Sequence, residues 1–166
     1  TAVIKVGKAD VLISTYSPNG EVTSDFIASQ VEPILQAQMA YLGGELPVNK
    51  YAFIIYLSEG ASFSGKFGAL EHSYSSFYYL PEMAPEQIAQ TVRDVAAHEF
   101  FHIVTPLNIH SEQIHNFDFI NPEMSMHLWL YEGVTEYSAG HVQVTQGLMS
   151  VESYLKVLEG KVRNAQ

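Results

Sequence analysis

The chain contains no cysteine, and that one absence removes disulfides, thiolate metal ligands and a cysteine nucleophile together. Basic residues are scarce: 8 Lys and Arg stand against 18 Asp and Glu, a formal net charge of −10. Phosphate backbones are bound by Lys and Arg, so nucleic acid is not expected as a partner. No stretch approaches the roughly 18 consecutive apolar residues of a membrane-spanning helix. Repeats and low-complexity tracts are missing, and the opening segment Thr1 to Lys5 lacks the pattern of a signal peptide. What is present is a chain of 166 residues with 47% hydrophobic and 16% charged residues, a composition that buries a core.

The acids are unevenly distributed. Between Phe67 and Leu155 there are eleven carboxylates and a single base, Arg93. Such a stretch attracts cations. Most of these acids are expected on a solvated surface, and the question is which few are not.

The apolar patterning predicts strands over Ala2–Val6 and Asp10–Thr15, then a turn at Ser17 to Gly20. Ser24 is expected to cap a helix carrying Phe26, Ile27, Val31, Ile34, Leu35 and Met39 on one face, with Gly43 and Gly44 ending it. The run Tyr51–Leu57 has the length of a central strand. Gly60 to Gly68 reads as a loop, and Ala69–Leu80 as one strand broken by Pro81. Pro85 suits the first turn of a mostly buried helix ending near Pro106. Leu107 to Pro122 is an irregular connection. A second helix is expected over about Glu123–Gln146 and a third from Ser150 to Gln166 without a stop signal. Strands first and helices second give an α+β class.

His98-Glu99-Phe100-Phe101-His102 is an H-E-x-x-H pattern within the predicted helix. Residues four apart share a helix face, so both imidazoles can reach one ion. Zinc accepts imidazole nitrogen and tolerates three protein ligands with an open fourth position. Glu99 lies one residue round, where it can take a proton from water without filling the coordination sphere. The longer metzincin pattern is excluded, because it needs a glycine and a further histidine where Thr105 and Asn108 stand. The third ligand is therefore expected from another helix. Glu132, in the apolar segment Leu128 to Gly133, is the candidate, whereas Glu123 is explained by the helix dipole. Gly133 is expected to let the two helices approach closely. Glu136, four residues on from Glu132, is expected to accept the outer N–H of a ligand imidazole.

These residues resemble the glycyl aminopeptidases, gluzincins related to thermolysin and to the aminopeptidase N family. The resemblance rests on His98 to His102, and on Leu128-Trp129-Leu130-Tyr131-Glu132-Gly133 thirty residues later. It rests also on Gly68-Ala69-Leu70-Glu71-His72, which is similar to the family's Gly-Gly-Leu-Glu-His. The resemblance implies a thermolysin-like (zincin) subdomain. Its mixed sheet has an edge strand along the cleft, and two ligand helices follow, with one zinc per chain on His98, His102 and Glu132. It also implies that the edge strand over Gly68–His72 pairs with the substrate backbone while Glu71 holds the substrate's free α-ammonium, with Gly or Ala as the residue released.

There are departures. The family's Trp-Asn after the second His is absent, and the downstream Tyr or His that stabilises the oxyanion is not found. The whole of 1–166 is thus expected to be a metallopeptidase catalytic domain in part: strands and first helix in 1–82, zinc-binding helices in 85–146, the start of a further helical part in 150–166. Further domains of the same protein and peptide partners with a free N-terminus follow from that reading. An endopeptidase and a non-catalytic peptide-binding module are the alternatives. His110, His115, His127 and His141 are expected at the surface or in loops, and Tyr74, Tyr78 and Tyr79 in sheet packing.

Overall fold

The computed structural model describes residues 1–60, 67–118 and 120–165. Its strands are β1 (Ala2–Val6), β2 (Ala9–Tyr16), β3 (Lys50–Ser58), β4 (Gly68–His72) and β5 (Ser75–Pro81). The helices are α1 (Ser24–Tyr41), α2 (Pro85–Phe101), the short α3 (Glu112–His115), α4 (Leu128–Thr145) and α5 (Val151–Asn164). The five strands form one mixed sheet in the order β1-β2-β3-β5-β4. β3 is central and parallel to both β2 and β5, while β1 and β4 pair antiparallel at the two edges. Strands precede helices only approximately, because α1 is the crossover between the parallel strands β2 and β3.

One face of the sheet makes the core. Val11, Ile13, Tyr51, Phe53, Ile55, Leu57 and Tyr78 pack against Ile27, Val31 and Leu35 of α1 and Ile88, Val92, Ala96 and Phe100 of α2. Phe100 fits edge-on to Tyr51 at 4.8 Å between ring centroids and stacks on Phe53 at 6.0 Å, which anchors the His-bearing end of α2 to β3. The opposite face is open. Ile54, Tyr56 and Phe77 are exposed there, so the apolar run of β3 is covered on one side only. Tyr16, Tyr56, Tyr79 and Phe67 stack in a row. Of the tyrosine group, Tyr78 is buried with its hydroxyl on Ser76, while Tyr74 is exposed at the turn.

Several boundaries differ from the sequence reading. Residues 69–80 are a hairpin and not one strand, turning at Ser73 and Tyr74. The pair carries no Gly, Pro or Asn, so the sequence offers no strong turn signal there. The cap of α1 is Thr23, whose hydroxyl accepts from the Phe26 amide at 3.1 Å, while the Ser24 hydroxyl accepts from the Thr15 amide and ties α1 to β2. Thr23→Ala should therefore cost about 1 kcal/mol in urea denaturation.

α4 starts at Leu128, so Glu123 lies outside it and the dipole does not account for it. α5 runs over Val151–Asn164, within the expected third helix. Part of the expected Gly60–Gly68 loop, residues 61–66, and the end of the third helix at Gln166 lie outside the described residues. No described helix is long and apolar enough to cross a membrane.

Candidate metal centre

The site is assembled where the end of α2 meets α4 and the edge strand β4. Gln38 of α1, fully buried, donates to the Ala97 carbonyl at 2.7 Å and fixes the last turns of α2. Ala97 and Ala139, with Ile34, form a small buried contact that brings α1, α2 and α4 together. This close approach uses alanines. Gly133 takes no part in it: a side chain there would meet nothing within 4 Å.

His98 lies in the last turn of α2 and His102 is its C-cap, with the backbone still in the helical region. Their rings are 5.0 Å apart between centroids and nearly perpendicular. His102 is buried and His98 is partly so. Glu132 Oε2 sits 3.2 Å from His98 Nε2 and 3.8 Å from His102 Nε2. Ligand atoms of His98, His102 and Glu132 all lie within 4.8 Å of one another, close enough to hold one metal ion.

Each histidine has its outer nitrogen engaged. His102 Nδ1 is 2.7 Å from the Thr105 carbonyl, which can only accept, so Nδ1 carries the proton and Nε2 keeps its lone pair. His98 Nδ1 is 2.7 Å from Glu136 Oε2, with the same consequence. A protonated His98 donates from Nε2 to Glu132 Oε2 at 3.2 Å; with both rings neutral, the three inward atoms, Nε2, Nε2 and Oε2, are all acceptors. A cation is the group that fits such a set. Thr135 of α4 supports the His102 side, its Oγ1 lying 3.1 Å from Thr105 Oγ1 and 3.4 Å from the Thr105 carbonyl.

Glu99 is buried, and its Oε2 has no hydrogen-bond partner. Burial, opposed by the His98 charge and reinforced by those of Glu71 and Glu132, pushes its carboxyl up to about 7. Glu71 approaches from β4: ligand atoms of Glu71, Glu99 and His102 also fall within 4.8 Å. Within β4 the side chains alternate, and Ala69 and Glu71 are partly buried while Gly68, Leu70 and His72 are exposed.

His98 feels opposing influences. Its partial burial would lower it, but the hydrogen bond and charge of Glu136, with the charges of Glu99 and Glu132, raise it on balance. Glu136 is held down to about 2, first by the bond to His98 and, against its own partial burial, by Lys161, whose Nζ lies 2.7 Å from Glu136 Oε1.

The surroundings of Glu132 differ from expectation. Leu128, Trp129 and Leu130 are exposed, Trp129 at 72%, and Glu132 itself is half exposed. Its significance lies in its distance to the two imidazoles and not in an apolar environment. The Thr105 carbonyl, Thr135 and Lys161 were not legible from the pattern: a backbone acceptor has no residue signature, and Lys161 looks like any solvated helix charge. His141 is half-buried on α4, packed between the rings of Tyr41 and Tyr137, with Nδ1 buried. His110 and His115 are exposed and stacked on one another at 5.0 Å.

No curated protein sequence matches the chain. Among solved structures, an aminopeptidase N family protein from Idiomarina loihiensis is similar in fold, with a TM-score of 0.77 at 20% identity. The match covers 95% of this chain and 27% of that one, so the chain spans about a quarter of that protein's length. Residues 91–166 match the M61 glycyl aminopeptidase family. The strand bearing Glu71 lies before the matched residues. The matched stretch holds His98, Glu99, His102, Glu132 and Glu136, so the resemblance read from these motifs is supported over 91–166, while Gly68–His72 lies outside the match.

Proposed function

We propose that the chain is the metal-binding part of a zinc-dependent peptidase that removes small residues, Gly or Ala, from peptide N-termini. The observation that carries this reading is the juxtaposition of two carboxylates with distinct roles around one set of inward acceptors. Glu99 has a buried, unpartnered oxygen, and Glu71 faces it from the edge strand. The thermolysin-like architecture and the single zinc belong to the same reading.

His98, His102 and Glu132 would hold the ion, two imidazoles and one carboxylate being a donor set that catalytic zinc uses with an open fourth position. When bound there, zinc would supply Lewis-acid chemistry, polarising the scissile carbonyl and making water more acidic. The residues do the rest. Glu99 Oε2 takes a proton from the attacking water and returns it to the leaving amine nitrogen. Glu136 and the Thr105 carbonyl hold the two imidazoles in the tautomer that points Nε2 inward. Gly68, Ala69, Leu70 and His72 form the edge along which an extended substrate backbone can pair, and Glu71 meets its α-ammonium. The oxyanion donor is not among these residues, and further domains of the protein are part of the reading.

Glu71 decides between exo- and endopeptidase. A charge-assisted hydrogen bond is worth about 1.5–3 kcal/mol, so Glu71→Ala should lower kcat/KM for a free-amine Gly or Ala reporter roughly 10–100-fold. The N-blocked counterpart should be unaffected. Equal losses on both substrates would show that Glu71 does not read the N-terminus, and an endopeptidase would be the better description.

A further inference from the structure

We propose that Lys161 of α5 is a positioning residue for the metal centre, acting through Glu136 on His98. The inference rests on the reading in which His98 is a ligand, and it concerns a helix that the H-E-x-x-H pattern does not include.

The connection is continuous. Lys161 Nζ is 2.7 Å from Glu136 Oε1, and Glu136 Oε2 is 2.7 Å from His98 Nδ1. Both carboxylate oxygens are thereby engaged, one by each partner. A carboxylate held at one oxygen can still swing, and a half-exposed one is also solvated by water. With both oxygens held, the direction in which Oε2 accepts from His98 is defined, and so is the plane of the imidazole. Lys161 differs in this from the other basic residues of its helix. Lys156 pairs with Glu152 and Arg163 with Glu159, four residues away within α5, whereas Lys161 reaches across to α4.

A second feature sets the register of the two helices. A β-carbon at Gly140 would lie 2.5 Å from Tyr154 Cε2, so Gly140 is the notch in which the Tyr154 ring rests. Gly140 is four residues from Glu136, and Tyr154 is seven from Lys161, so each pair shares one face of its helix. Tyr154 in its notch and Lys161 on its carboxylate are two contacts of a single docked face. Little else holds α5 there: none of its residues is buried, and an open cleft of about 360 Å³ lies beside these contacts, lined by Glu136, Gly140, Tyr154 and Lys161 together with Asp94 and Leu158. The ion pair is half exposed, so its contribution to folding is small. Its effect should appear at the metal instead.

The test compares zinc dissociation constants, measured by chelator competition, for the wild-type chain, Lys161→Met, Lys161→Arg, Glu136→Gln and the double variant Glu136→Gln/Lys161→Met. Changing an outer-sphere partner of a ligand typically weakens metal binding about 10–100-fold. Glu136→Gln should fall in that range and Lys161→Met near its lower end, roughly tenfold. Lys161→Arg should bind as the wild type does, because a single oxygen is contacted. The double variant should bind no more weakly than Glu136→Gln alone, since Lys161 acts through that carboxylate. The cobalt(II) d–d spectrum should change in Lys161→Met while the denaturation midpoint of the metal-free protein does not.

Wild-type affinity in Lys161→Met, or losses that simply add in the double variant, would overturn the inference and leave the metal site standing. A wild-type chain that binds neither zinc nor cobalt would overturn the metal reading as well.

Discussion

On the proposed function, replacing Glu99 by Gln is expected to lower peptide hydrolysis about 10²–10⁴-fold, the usual weight of a positioned general base, while leaving zinc content unchanged. The substitution keeps shape and volume and removes the ability to take a proton. In the proposed centre His98, His102 and Glu132 hold the ion and Glu99 does not, so the ion should remain; loss of zinc in Glu99→Gln would instead favour the other grouping, Glu71, Glu99 and His102.

A second readout needs no turnover. In the metal-free protein the Glu99 carboxyl is raised to about 7 from an ordinary 4.5, by burial first. Below pH 4.5 both folded and unfolded chains hold the proton and Glu99 contributes nothing to the pH dependence. Between 4.5 and 7 the unfolded chain releases it and the folded chain does not, so stability falls as pH rises. Above 7 the loss is constant, on the order of 3 kcal/mol. Glu99→Gln should remove this component from the stability of the metal-free protein between pH 4.5 and 7. Near-wild-type hydrolysis in the variant would exclude Glu99 as the base. An unchanged pH dependence would show that its carboxyl is not raised.

The site was legible where its logic is local. Two histidines four apart on a helix, with a Glu between them, announce a shared face whatever the helix packs against, and the structure brings both imidazoles within reach of one carboxylate. The apolar setting that singles out Glu132 in the sequence is not what holds it in place. Periodicity marks Leu128 to Leu130 as apolar but cannot say whether they are covered, and in this structure they are exposed. Gly133 and Gly140 show the same limit. Both glycines look equally able to admit a neighbour, yet only Gly140 has one, the ring of Tyr154 from a helix that the sequence does not align with α4.

The fold was read best at strands with one alternating face, such as β2, and worst at the β4–β5 hairpin. There the chain turns at Ser73 and Tyr74, with serine, a weak turn former, as the only turn residue and no Gly, Pro, Asn or Asp. The partners that set the histidine tautomers divide in the same way. Glu136 could be foreseen from its spacing to Glu132. The Thr105 carbonyl could not, because it depends on the path of the chain just after α2.

That carbonyl makes His102 the more demanding of the two imidazoles to replace. His102 is buried, its Nδ1 bonded to the Thr105 carbonyl, with Thr135 Oγ1 3.5 Å away. His98 is more accessible, and water can enter if its ring is removed. Tight zinc sites bind with about 10–16 kcal/mol, so one donor in four represents about 3–4 kcal/mol, or two to three decades of affinity. His102→Ala should lose that donor and also remove the 2.7 Å bond to the buried Thr105 carbonyl, leaving it only the longer contact from Thr135 Oγ1 at 3.4 Å, which adds about 1 kcal/mol of destabilisation. The expected result is zinc affinity about 10²–10³-fold weaker by chelator competition, together with a lower midpoint in denaturation of the metal-free protein. His98→Ala should lose a comparable amount of affinity with a smaller effect on folding, because its site is partly solvated and Glu136 retains Lys161. The two variants thus separate the ligand role, which both histidines share, from the structural role that only His102 carries. Retention of zinc at wild-type affinity by His102→Ala would remove His102 from the coordination sphere and take with it the assignment of the H-E-x-x-H helix as the metal-binding element.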